Sequence, residues 1–180
     1  MTLRVQDMLN GVDLERTRVR EIEPERGDRA IRVFISYSHR DDTYREELET
    51  HLKLLQRQGE IAIWSDRKIV PGEKWGEKID DNLEAADVIL LMVSADFVAS
   101  DYCYDIELKR ALERDALKEA RAIPVILRDC DWSSAPFAKL QALPKGAKPV
   151  KLWSDRDTAW RDVARGIRRV ADQLRKQRAR

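Results

Sequence analysis

The chain is short of the residues that most often announce a chemistry. Its 180 residues hold two cysteines, Cys103 and Cys130. That is too few for the disulfide framework of a small secreted domain. With only His39 and His51 beside them, no metal-ligand cluster is expected. Charge of one sign is also lacking: 34 Lys and Arg stand against 33 Asp and Glu, for a net charge of +1. A dedicated nucleic-acid surface carries a large basic excess, so nucleic acid is not an expected partner. The longest unbroken aliphatic run, Val88 to Val93, is strand length. A membrane span needs about 20 apolar residues, and no membrane partner is expected. No basic-then-apolar leader opens the sequence, and the expected location is cytoplasmic. There is no Gly-rich pyrophosphate loop of the kind that marks dinucleotide oxidoreductases, no internal repeat and no low-complexity segment.

What is present suits one α/β domain. The hydrophobic share of 43% is enough for a core, at a length ordinary for a single domain. Residues 1–29 are rich in Arg and Glu and poor in large apolar side chains, and are expected to form a mobile N-terminal arm. From residue 30 short apolar runs alternate with helical periodicity. Strands are expected near 31–36, 60–65, 87–94, 122–127 and 148–152, and helices near 42–57, 75–84, 103–118 and 157–175. Tyr44, Leu48, Leu52 and Leu55 fall on one face of the first helix. Trp160, Val163, Ala164, Ile167, Val170, Ala171 and Leu174 do so on the last. Gly59 is placed to stop the first helix. Alternating strands and helices imply a parallel sheet covered on both faces. Five strands in this order suit a flavodoxin-like sheet, with a domain over 30–175 and a basic tail over 176–180.

The segment Val33-Phe34-Ile35-Ser36-Tyr37-Ser38-His39-Arg40-Asp41-Asp42 locates the expected site. An apolar run stops abruptly at Ser-Tyr-Ser, an acidic stretch follows, and a helix begins. In open α/β sheets ligands bind at the carboxyl ends of such strands. On residues alone Ser36, Tyr37, Ser38 and His39 read either as a hydrogen-bonded turn and helix cap or as a polar floor for a ligand. His39 has no Ser or Cys nucleophile at a readable spacing and takes no catalytic role. His51 falls in mid-helix. Glu107 lies in the first two turns of a helix that Ser100 or Asp101 would cap, just beyond the strand end at Ser94. Helix position alone makes it an exposed carboxylate facing the dipole.

The opening strand Val33-Phe34-Ile35-Ser36-Tyr37-Ser38 resembles that of TIR domains. Ile69-Val70-Pro71-Gly72-Glu73-Lys74-Trp75 resembles the loop after their second strand. Asp87 to Ser94, followed by Ser100-Asp101-Tyr102-Cys103 and Glu107, is similar to their third strand and the helix bearing the catalytic glutamate. The resemblance runs from Ala30 to Leu174. It implies a flavodoxin-like TIR fold of five parallel strands, with Glu107 as catalytic residue. It also implies cleavage of the nicotinamide–ribose bond of NAD+, with NAD+ as substrate and no cofactor. Other TIR domains are the implied partners, in a homo-oligomer or filament when activated. Animal members carry a Trp four residues before the Glu; here Cys103 stands there, flanked by Tyr102 and Tyr104.

Further substrate contacts follow from the same resemblance. Ser36, Tyr37 and Ser38 would form the floor beneath the nicotinamide ribose, and Tyr102 would stack on the base or nicotinamide beside Cys103. Asp66, Arg67 and Lys74 sit in a loop that in the family closes over the nucleotide, where Arg67 and Lys74 would meet phosphates. Trp64 or Trp75 would supply stacking, although Trp75 reads equally as a packing anchor. The loop itself reads either as a surface connection or as an assembly and substrate surface; ten residues is long for a plain connection. The run Arg165 to Arg180 holds seven basic residues against one Asp and reads as a solvated helix face with a frayed end. Two functions are carried forward: an NAD+-cleaving effector of immunity, and a TIR scaffold that only assembles with its kind.

Overall fold

The computed structural model describes residues 30–65 and 81–180. Its centre is a parallel sheet of four strands: β1 (Ile31–Ser36), β2 (Ile61–Trp64), β3 (Val88–Val93) and β4 (Arg121–Ile126). Their order is β2-β1-β3-β4, which is the flavodoxin-like order. Phe34 pairs in register with Trp64 on one side and Ile89 on the other, and Ser36 pairs with Leu91. All six residues of β3 are buried. A strand paired on both sides and covered on both faces has no use for polar side chains.

Successive side chains of a strand point to opposite faces, so each strand feeds two cores. Val33, Ile35, Val88, Leu90 and Val125 pack on one face with Leu48, Leu52, Trp160, Val163 and Ile167. Those partners come from α1 (Asp42–Arg57) and from the last helix, Arg156–Arg178. Phe34, Ile89, Leu91 and Val93 pack on the other face with Phe97, Cys103, Leu108 and Ala111. The helical spacing of α1 therefore reports a true buried stripe. Gly59 follows that helix at φ +70°, a left-handed turn that glycine adopts without strain.

The chain from Ser94 to Leu117 departs from a single helix. A short α2 (Ala95–Val98) is followed by a π-helix, Tyr102–Leu108, and then by α3 (Lys109–Ala116). The final helix, Arg156–Arg178, is α4. It starts at Asp155, whose carboxylate accepts from the backbone N–H groups of Asp157 and Thr158. The expected helix near 75–84 and the arm 1–29 lie mostly or wholly outside the described residues. Residues 81–85 are helical.

The expected fifth strand at 148–152 is absent from the described residues. Val150–Leu152 forms a 3-10 turn instead. Pro149 enters that turn at φ −53° and has no N–H to give to a ladder. The place beside β4 is taken by one residue: Leu143 donates its N–H to Pro124 O and accepts from Ile126 N, both at 2.8 Å. Pro144 follows and cannot extend the pairing.

The 176–180 tail is also corrected, because α4 runs through Arg178. Arg178 Nη2 stands 2.5 Å from Asp87 Oδ1, and Arg175 bonds Asp172 and Glu60. Asp87 gathers the amino end of the sheet. Its carboxylate accepts from the Arg32 backbone N–H at 2.8 Å and from the Arg32 side chain. Asp87→Ala leaves that N–H without its acceptor and is expected to cost about 1–3 kcal/mol in urea unfolding. Arg178→Ala loses an ion pair open to water on the arginine side and should cost less than about 1 kcal/mol. Equal losses from the two variants would contradict this division.

Candidate functional site

The site lies where β1 and β3 end. β1 delivers Ser36 to the face covered by the π-helix, since Ser36 is two residues beyond Phe34. The backbone then leaves the sheet through Tyr37 and Ser38 into a 3-10 turn, His39–Asp41. Ser38 builds that turn: its carbonyl accepts from Asp41 N at 2.7 Å and its hydroxyl from Arg40 N at 3.4 Å. On the β3 side Ser94 caps α2 by accepting from Phe97 N at 3.0 Å. Of the two candidate caps for the next helix, Ser100 acts, accepting from Cys103 N at 3.3 Å.

That π-helix buries Cys103, Glu107 and Leu108. π-turns are rare and recur at functional sites. Cys103 is tied across to the other strand end, with Sγ 3.3 Å from Tyr37 O. Glu107 is only 4% exposed, which rules out the solvent-facing, dipole-complementing position that helix placement alone suggests. Ser36 Oγ donates to Glu107 Oε2. Burying a carboxylate is costly unless hydrogen bonds replace the lost water, and the strand end supplies one.

A cavity of about 240 Å³ opens over Glu107, walled by Tyr37, Ser38, His39 and Arg40 on the β1 side and by Tyr102 and Cys103 on the π-helix. This volume takes a ring and a sugar, not a whole dinucleotide. Tyr37 is held by His39, edge-on at 6.0 Å, and by Arg45, 5.5 Å from its ring centre. The structure thus brings together Tyr37, Ser38, Tyr102, Cys103 and Glu107, with Ser36 directly beneath. Trp64 stacks on Phe34 with ring centres 5.4 Å apart and is not among the residues lining the cavity. Asp66, Arg67, Lys74 and Trp75 lie outside the described residues.

His39, read with Ser36, Tyr37 and Ser38 as a candidate polar floor, lines the cavity. Two features escaped the reading of the sequence. Arg40 also lines the cavity, and so close behind Ser38 it could have been drawn from the strand-end rule itself. The second is a buried ionic hub. Asp41, 1% exposed, accepts from Ser94 Oγ and from Arg128 Nε and Nη2, the latter pair at 3.2 and 2.9 Å. Arg128 also bonds Asp96. The bonds from Asp96 and Asp41 raise the guanidinium above its ordinary pKa despite partial burial, so it stays charged. The hub ties the ends of β1, β3 and β4 to one carboxylate. Nothing local in the sequence pairs Asp41 with a residue 87 positions away.

Among the described residues no group of His, Cys, Asp or Glu could hold a metal ion, both cysteines are free, and no helix is long and apolar enough to cross a membrane.

Comparison with known proteins agrees with this architecture. The chain is 52% identical over 142 residues to the uncharacterized protein y4lF of Sinorhizobium fredii (strain NBRC 101917 / NGR234). That stretch is 79% of this chain but 44% of the relative, so the chain spans under half of the curated protein it matches. The crystal structure of the TIR domain of the Toll-related receptor TRR-2 from Hydra magnipapillata superposes with a TM-score of 0.53 at 26% identity. It covers 76% of this chain and 97% of that one. Residues 33–168 match the family described as TIR domain. With three-quarters of its length in that match and the sheet order to go with it, the chain belongs to the TIR domain family.

Proposed function

We propose that the chain cleaves NAD+ at the nicotinamide–ribose bond, as a glycohydrolase. The observation that carries this reading is a carboxylate buried at the floor of a cavity on the ligand edge of the sheet, Glu107. Nicotinamide in NAD+ is a cationic leaving group. The C–N bond breaks with its electron pair going to the ring, and nicotinamide departs neutral. No acid is needed to protonate it, unlike the oxygen leaving group of a common glycosidase. Positive charge grows on the ribose, and one preorganised carboxylate can stabilise it. Water adding at the anomeric carbon, with loss of a proton, gives ADP-ribose. Attack by a nucleophile of the product itself gives a cyclic ADP-ribose. Tyr102 is the aromatic on the cavity wall that would stack on the nicotinamide, in the role that Trp fills in animal sequences.

The proposal extends to assembly. On this reading the cavity, at about 240 Å³, would take only part of a dinucleotide, and the remaining surface would come from elsewhere. We assign it to the 66–74 loop, with Arg67 and Lys74 on the phosphates, and to a neighbouring TIR domain in the active oligomer. Such an enzyme would act in the cytoplasm as an immune or antiphage effector. A scaffold without catalysis is the second reading. It is favoured by Ile106, half exposed on the same turn as Glu107, as an apolar contact for another domain.

Glu107→Ala is expected to lower the rate of nicotinamide release by about 10²–10³, with the thermal midpoint little changed. Glu107→Gln should act alike, because charge is what the ribosyl cation requires. Normal turnover in a folded Glu107→Ala protein would leave only the scaffold reading.

Specific activity is expected to rise with protein concentration. A constant value across a wide dilution series, with a monomer by light scattering, would separate catalysis from assembly and remove the oligomer from the proposal.

A further inference from the structure

We infer that Ser36 is the positioning residue of Glu107: its hydroxyl fixes the carboxylate and favours its charged form, and does not bind substrate. This rests on the glycohydrolase reading for its effect on rate, but the contact and its consequence for Glu107 stand apart from it. Ser36 is the last residue of β1 and 1% exposed. It is not among the residues lining the cavity, whereas Ser38 is. A serine hydroxyl has one proton, and here that proton goes to Glu107 Oε2. The same proton cannot be offered to a ribose.

The donor is rigidly placed. β1 is paired with β2 on one side and β3 on the other, and Ser36 itself is in register with Leu91. A glutamate is soft about its terminal torsion, so a fixed donor on one oxygen sets the plane of the carboxylate. A hydrogen bond given to the ionised form also stabilises that form. Loss of the hydroxyl therefore has two separable effects. The carboxylate loses its orientation, which lowers kcat and leaves KM unchanged. Its protonation also becomes easier, so the acid limb of activity moves to higher pH.

Other groups face Glu107 and must be told apart from Ser36. His39, Arg40 and Tyr37 wall the cavity from the β1 side, and Tyr102 and Cys103 from the π-helix. Arg40 turns its guanidinium to Asp96, 3.7 Å away, with its side chain largely exposed. A rate profile sums over every group that walls the cavity, so it does not isolate Glu107. The direct observable is the Glu107 side-chain carboxyl carbon, followed by ¹³C NMR and assigned by its loss in Glu107→Gln.

The experiment uses the full chain, with Ser36→Ala and the hydroxyl-retaining Ser36→Thr. In Ser36→Ala kcat for NAD+ is expected to fall about 10- to 100-fold, the range of a hydrogen bond to a charged group, with KM within about twofold. The Glu107 carboxyl is expected to titrate at higher pH than in the wild type. Ser36→Thr restores both. Should Ser36→Ala not fold, Ser36→Cys keeps the volume with a weak donor and is expected to shift both in the same direction. An unmoved Glu107 titration in a folded Ser36→Ala or Ser36→Cys protein overturns the inference. So does a Ser36→Ala loss that appears in KM alone. If the wild type releases no nicotinamide, the glycohydrolase reading fails by itself, and the NMR comparison still decides the role of Ser36.

Discussion

Parallel pairing of β1 with β3 leaves neither strand a face open to water, and most of the molecule answers to that. Arg32 apart, the side chains along Ile31–Ser36 and Val88–Val93 are buried beneath either the α1–α4 layer or the layer of the π-helix and α3. A one-residue slip would exchange the two layers, sending Ser36 toward α1 and Tyr37 toward Glu107. Register is therefore a functional constraint as well as a packing one. With Val33, Phe34 and Ile35 apolar on both faces, Asp87 helps to fix it at the amino end by accepting from the Arg32 backbone.

At the carboxyl end the strands stop together, and their loops would separate without a tie. Asp41 provides one, with Ser94 and Arg128 as its partners. A buried ion pair adds little net stability compared with apolar packing, because both ions lose water. What it specifies is arrangement: only one placement of three loops satisfies a carboxylate that water cannot reach. The wall of the Glu107 cavity, Tyr37 to Arg40, hangs from that tie through the Ser38 turn.

Much of the fold was legible in the sequence because it is written locally. β1 and α1 match their expected spans, and β2, β3 and β4 fall within a residue or so of theirs. Apolar runs and a 3.6-residue stripe are short-range signals. The fifth strand failed where a local rule was passed over, since Pro149 inside 148–152 already argued against a ladder. The π-helix was out of reach, because its buried positions Cys103 and Glu107 are spaced as in an α-helix. Burial of Glu107 was equally hidden, because its partner Ser36 is 71 residues away. The family resemblance singled out Glu107 where the residues alone made it a surface acid. For Trp64 the resemblance named a stacking aromatic, and the structure gives its ring to Phe34.

Two carboxylates are thus buried at one sheet edge, and the donors that Arg128 and Ser36 bring to them differ in kind. Asp41 is met by a guanidinium, and a charge answered by a fixed opposite charge has little field left to offer. Ser36 meets Glu107 with a neutral hydroxyl. Such a donor satisfies an oxygen and holds it in place, but it leaves the net charge of the carboxylate intact. The first arrangement suits architecture, where a charge must be cancelled to be tolerated. The second suits a site whose ligand becomes cationic during reaction, where the charge must be retained and aimed. A strand that ends in Ser36, with its hydroxyl on Glu107 of the π-helix, fixes one oxygen of that carboxylate without itself adding a charge.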